Sequence, residues 1–121
     1  MHIHESAENY LEAILALSKQ GPVRSIDVAQ YLGFSKPSVS RAMSLLRGSG
    51  YVEVDGTGHL VLTDTGREIA ASMYERHTLL TRWLVQLGVP EEIAAEDACK
   101  IEHDLSPETF EAIKRHVGSL E

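Results

Sequence analysis

One β-prone hairpin stands in a chain whose other apolar residues recur at helical spacing, and that single change of period limits the available folds. Tyr51-Val52-Glu53-Val54 and His59-Leu60-Val61-Leu62 flank the turn-forming Asp55-Gly56-Thr57-Gly58. Ahead of it, Ala7, Leu11, Ile14 and Leu15 mark a helix that Gly21-Pro22 ends. A short second helix follows, with Ser25 as N-cap, Ile26, Ala29 and Leu32 as inner stripe and Gly33 at its C-terminal cap. Ser35 caps a third helix, Pro37 sits in its first turn, and Val39, Met43 and Leu46 face inward. Beyond the hairpin, Thr65-Gly66-Arg67-Glu68 has capping-box spacing and opens a long helix carrying Ile69, Met73, His77 and Leu80 on one face. Gly88 ends that region, Pro90 starts a helix running to about Asp104, and Ser106-Pro107-Glu108 caps a last helix with Phe110, Ile113 and Val117 inward. This order predicts a mainly α chain: a winged helix-turn-helix domain over 1–71 and an all-helical domain over 72–121.

The charge balance looks wrong for a partner of DNA. The chain of 121 residues has a formal net charge of −7. The acid is concentrated, however: the first 71 residues carry 6 basic and 8 acidic side chains, the remaining 50 carry 5 and 10. Bound divalent cations would offset part of that excess, and a solvated acidic surface would explain it equally. A single cysteine excludes an internal disulfide framework, and Met1-His2-Ile3-His4-Glu5 lacks the character of a signal peptide. No apolar run approaches the roughly 18 residues that span a bilayer. Together these predict a cytoplasmic protein with no membrane partner.

The third helix opens Ser35-Lys36-Pro37-Ser38-Val39-Ser40-Arg41, placing small hydrogen-bonding groups and two cations at the end that would enter a major groove. On this reading Lys36, Arg41, Arg24 and Arg47 meet phosphates, Ser35 caps, and Pro37, Ser38 and Ser40 approach base edges. Long base-reading side chains are few, so discrimination would draw on thymine methyls and DNA shape. In the bland alternative Ser35 only caps and the cations are solvated.

Candidate metal donors fall in three places. Cys99, Glu102 and His103 have the spacing of one helical face, Asn9 and Glu12 stand three apart on the first helix, and His77 lies on the long helix. A thiolate, carboxylates and imidazoles are the donors a divalent transition metal takes. Each also has an ordinary reading: His77 as a core histidine, Asn9 and Glu12 as surface polar groups, Cys99 as an inert thiol. His2 and His4 could bind metal too, or belong to a terminal tail.

The ordered set Glu8-Asn9-Tyr10-Leu11-Glu12, Ser38-Val39-Ser40, Leu62-Thr63-Asp64-Thr65-Gly66, Arg76-His77 and Cys99…Glu102-His103-Asp104-Leu105-Ser106 resembles the diphtheria-toxin-repressor family of iron-dependent repressors and manganese transport regulators. The resemblance spans nearly the whole chain. It implies a homodimer whose metal-bound form grips palindromic double-stranded operator DNA and represses metal-uptake genes, with Fe(II) or Mn(II) as cofactor. Family ligands fall on Asn9, Glu12, His77, Cys99, Glu102 and His103. Asn9 stands where iron-type members have methionine and manganese-type members aspartate, and it offers a neutral carbonyl oxygen. Cys99 matches the iron type, whereas the short chain, ending without a C-terminal SH3-like domain, matches the manganese type. The resemblance also implies a second site using Glu12 and His77, though Thr81 and Ala95 replace a glutamate and a histidine of the iron type.

Metal would then tie the helix leading into the reader to the dimer domain and fix the spacing of two reader helices. Leu79, Leu80, Trp83 and Leu84 form the expected apolar dimer surface, or else monomer core. The alternative is a winged-helix regulator answering to a small molecule or to Cys99 oxidation. No His-Glu-x-x-His segment, nucleophile elbow or phosphate-binding glycine loop points to an enzyme.

Overall fold

The computed structural model describes residues 5–120, with side chains from Ser6 onward. The chain divides into two compact units, Met1–Ala71 and Ser72–Glu121. Their elements are α1 (Glu5–Ser18), α2 (Ser25–Leu32), α3 (Lys36–Gly48), β1 (Val52–Val54), β2 (Leu60–Leu62), α4 (Asp64–Gln86), α5 (Glu91–Ile101) and α6 (Pro107–Leu120). No helix among the described residues is long and apolar enough to cross a membrane.

In the first unit the three helices and the hairpin share one core. Leu11 and Ile14 of α1, Val28 of α2, and Val39, Met43 and Leu46 of α3 pack with Val52, Leu60 and Leu62. Burying one such aliphatic side chain stabilises the fold by about 1.5–3 kcal/mol. The strands pair antiparallel with Val52 opposite Leu62 and Val54 opposite Leu60, so Leu60 and Leu62 point inward and Val61 outward. A further bridge was not legible in the sequence. The Leu60 N–H donates to the Val23 carbonyl at 2.7 Å, which ties the segment before α2 to the hairpin edge.

Gly33 closes α2 as expected: its φ of +73° suits a residue without a side chain, and its N–H returns to the Ala29 carbonyl. Three local expectations are corrected. The N-cap of α2 is Arg24 rather than Ser25, and the Asp27 carboxylate accepts from the Arg24 N–H at 2.9 Å. Val28 is fully buried where Ile26 was expected, and Ile26 is exposed, because a helix starting at Ser25 turns 28 and 29 toward the core. The long helix starts at Asp64, one residue before the proposed capping box. Its first turn is held by the Thr63 hydroxyl, which accepts from the Gly66 N–H at 3.1 Å and donates to the Gly50 carbonyl at 2.7 Å.

That start is packed without spare room. The Thr63 N–H donates to the Tyr51 carbonyl at 3.0 Å, and a Cβ on Gly66 would fall on that same carbonyl oxygen. Position 66 therefore needs glycine for close approach of two backbones.

The second unit pairs α4 with α6. Leu79 is buried with Phe110 and Val117, and Trp83, Leu105 and Ile113 pack partly against them. Of the two readings of this stripe, Leu79 and Leu80 take that of monomer core, buried in the single chain, while Trp83 and Leu84 are half-buried. Ser106 caps α6 as expected, accepting from the Thr109 N–H at 3.1 Å. Helix α5 stops at Ile101 rather than near Asp104, leaving Glu102, His103 and Asp104 in a turn.

Gly66→Ala is expected to cost about 1–3 kcal/mol through the clash with Tyr51. Gly118→Ala, whose added Cβ meets nothing within 4 Å on α6, should be neutral or stabilising. Urea midpoints of the two variants check the contrast, and equal midpoints would remove the packing argument.

Candidate functional site

The candidate reader surface is the exposed side of α3. Lys36, Pro37, Ser40, Arg41, Ser44 and Arg47 are exposed while Val39, Met43 and Leu46 turn inward. Pro37, Ser40, Arg41 and Ser44 follow helical spacing, so they form one stripe. Ser44 was not singled out in the sequence, although its place one turn after Ser40 could have found it. Ser44, Arg47 and Gly48 also line a shallow groove of about 560 Å³ shared with β1. At the helix start the Ser35 oxygen accepts from the Ser38 N–H at 3.3 Å, and its hydroxyl donates to the Ser38 oxygen at 2.8 Å. Ser38 is half-buried and thus engaged with the cap.

The wing tip is internally braced. One Asp55 carboxylate oxygen accepts from the N–H groups of His59 and Thr57 and from the Thr57 hydroxyl, all within 2.9 Å. The His59 N–H bond foremost, then the Thr57 hydroxyl, hold its carboxyl down at about 2 from an ordinary 3.8. The Arg24 guanidinium donates to the Thr57 carbonyl at 3.2 Å, so Arg24 anchors the wing. This role was not visible from its position in the sequence.

In the second unit, α4 and the turn after α5 bring His77, Glu102 and His103 together. His77 Nδ1 lies 2.9 Å from Glu102 Oε2, and His103 Nε2 lies 3.4 Å from Glu102 Oε1. The side chains of Glu102 and His103 are each 1% exposed, and that of His77 is 32% exposed. Glu102 Oε1 finds no hydrogen-bond partner among the described residues. A buried carboxylate oxygen left in this condition is costly unless a cation meets it. With two imidazoles at hand, the donor set fits a divalent transition metal. Cys99 is exposed on the last turns of α5, whereas Glu102, whose N–H still donates to the Ala98 carbonyl at 2.9 Å, is buried. Asn9 and Glu12 are half-buried on α1 in the first unit, and His2 and His4 lie outside the described residues. Thr81 donates its hydroxyl to the His77 carbonyl at 2.7 Å, within its own helix.

Two family models match the chain in succession. Residues 2–60 match the N-terminal DNA binding domain of iron dependent repressors, and residues 63–121 match their metal binding and dimerisation domain. The transcriptional regulator MntR of Escherichia coli is 35% identical over 114 residues, covering 93% of this chain and 74% of that protein. The chain belongs to the iron-dependent repressor family. The iron-dependent repressor IdeR of Mycobacterium tuberculosis is 36% identical over 105 residues, covering 84% of the chain and 45% of that protein. A solved manganese-dependent transcriptional repressor in complex with manganese superposes with a TM-score of 0.84 at 30% identity, covering 93% of this chain. The chain spans about half the length of that structure, 52%. This is the family that the sequence resemblance had indicated, with a DNA-binding part followed by a metal-binding and dimerisation part.

Two measurements check the reader. Lys36→Ala should weaken binding to all duplexes alike and flatten the dependence of log affinity on log salt by about 1 unit, the share of one phosphate contact. An unchanged slope would place Lys36 off the DNA. Because folding lowers the Asp55 pKa, the tip gains stability above 3.8 and loses it as pH falls through about 2. The Asp55 carboxyl carbon should titrate by NMR with a midpoint near 2, and a midpoint at 3.8 would show an unbraced tip.

Proposed function

We propose that the chain is a metal-responsive transcriptional repressor, binding palindromic double-stranded operator DNA as a homodimer when Fe(II) or Mn(II) is bound and silencing metal-uptake genes. The observation that carries this is the buried Glu102 carboxylate between His77 and His103, in a chain that also presents a winged reader helix. Residues 1–71 read DNA; residues 72–121 hold metal and form the dimer.

Glu102, His77 and His103 are the inner ligands, with Cys99, Asn9 and Glu12 as the further donors that family resemblance supplies. A bound divalent cation supplies the positive charge that the buried carboxylate lacks. Cys99 favours Fe(II) over Mn(II), because a thiolate is the softer donor. Asn9 and Glu12 sit on α1, whose Leu11 and Ile14 are core of the reader unit, so constraint on these two side chains is felt by that core. Affinity for metal and affinity for operator are linked reciprocally.

On the DNA side, Lys36, Arg41 and Arg47 take phosphates, and Pro37, Ser40 and Ser44 face the bases. Arg24, Ser35 and Ser38 hold the wing and the helix start in place. The homodimer reading is supported by exposed apolar Val85, Leu87 and Ile93 in the second unit, with Leu87 63% exposed. The chain is a regulator and not an enzyme: its candidate donors all find roles as ligands.

A duplex selected from a random pool by the Mn(II)-loaded protein provides the test. Binding should be at least about tenfold tighter with Mn(II) or Fe(II) than with chelator, a coupling of about 1.4 kcal/mol. Equal affinity would refute metal response and favour a small molecule or Cys99 oxidation as the signal, and failure to select any duplex would refute DNA reading. Glu102→Gln should lose the metal response while keeping metal-free DNA binding.

A further inference from the structure

We infer that Arg76 is a positioning residue for the metal-ligating turn: it holds the backbone carbonyls of Glu102 and Leu105, so that Glu102 and His103 present their donors from a turn instead of a helix. This rests on the metal-responsive reading above and adds a residue that is not itself a ligand.

The geometry is specific. Arg76 is 8% exposed, and its Nη1 donates to the Glu102 carbonyl at 2.9 Å and to the Leu105 carbonyl at 2.7 Å. Nη1 carries two protons, one for each acceptor. In a continued α5 the Glu102 carbonyl would accept from the N–H of residue 106. Arg76 takes that acceptor instead, and a cation is well placed on carbonyls at a helix C-terminus. Helix α5 accordingly ends at Ile101, and the Asp104 N–H turns back to the Ile101 carbonyl at 3.0 Å. The guanidinium also lies over the Phe110 ring, 5.2 Å from its centroid, which fixes the plane of the group against α6.

Consecutive residues of α4 thus hold one residue at two points. Arg76 takes the Glu102 backbone, and His77 meets the Glu102 carboxylate at 2.9 Å. Stability alone does not explain this choice. Arg76 Nε is buried with no hydrogen-bond partner among the described residues, and an apolar side chain of similar volume would carry no such cost. Lysine would keep the charge but lacks the planar fork that lies over a ring while bonding two carbonyls.

The experiment is calorimetry with Mn(II) and, anaerobically, with Fe(II) on the full chain without DNA, comparing wild type, Arg76→Lys and Val117→Ala, each well below its unfolding midpoint. Val117→Ala shrinks the core of the same unit while leaving Arg76, its two carbonyl bonds and the Phe110 ring in place, so it reports what lost stability alone does to metal affinity. Arg76→Lys is expected to weaken binding of the tighter metal at least tenfold, and Val117→Ala less than threefold. NMR of the metal-free wild type should show slowly exchanging Arg76 guanidinium protons, a readout independent of whether any variant folds. The inference is overturned if Arg76→Lys binds that metal within threefold of wild type, if Val117→Ala weakens binding as much, or if the guanidinium protons exchange freely. Absence of binding of either metal by wild type would overturn the metal-responsive reading and this assignment together. Loss in Arg76→Lys alone leaves that reading intact.

Discussion

A carboxylate that is almost wholly withdrawn from water sets the terms for the second unit. Glu102 has 1% of its side chain exposed, and burying such a charge without partners costs several kcal/mol. Everything near it answers that demand. His77 approaches one oxygen from α4, His103 approaches the other from the same turn, and the backbone beneath them is clasped by a buried arginine. One oxygen remains without a hydrogen bond among the described residues. A core built only for stability would place an apolar residue there, so the arrangement is better understood as a receptor for positive charge.

In the first unit the comparable constraint is the contact between Tyr51 and the start of α4. The Tyr51 carbonyl accepts from Thr63 and abuts Gly66, while the Thr63 hydroxyl reaches Gly50. Four residues thus fasten the beginning of the hairpin to the helix that leaves it. Helix α3, the proposed reader, inherits its orientation from this fastening, because Met43 and Leu46 share their core with Val52 and Leu62.

Much of the architecture was legible because it depends on periodicity and caps. The inner stripe of α3, the hairpin itself, and the caps at Gly33, Ser35 and Ser106 follow from local rules that tertiary contacts reinforced. The misses share one cause: a distant partner decided a local outcome. Spacing extended α5 to Asp104, but Arg76, 26 positions earlier, takes the Glu102 carbonyl and ends the helix. Arg24 reads as a phosphate contact, and nothing local reveals that its guanidinium also reaches Thr57, 33 residues away. The candidates Glu102 and His103 follow from spacing and His77 from its place on the long helix, with family resemblance joining them, but spacing alone could not show that the Glu102 carboxylate is buried.

The bridge between Val23 and Leu60 has a consequence for anyone wishing to exchange parts between such regulators. The wing is not a detachable hairpin. Its edge strand is hydrogen-bonded to the segment before α2, and its tip is anchored by Arg24 from that same segment. A graft that moved only residues 51–62 into a relative lacking an arginine at the position of Arg24 would leave the tip unanchored. The transplantable module is discontinuous in the chain, comprising Val23, Arg24 and the hairpin, and chimeras that respect this seam are the ones that keep the wing where its host expects it.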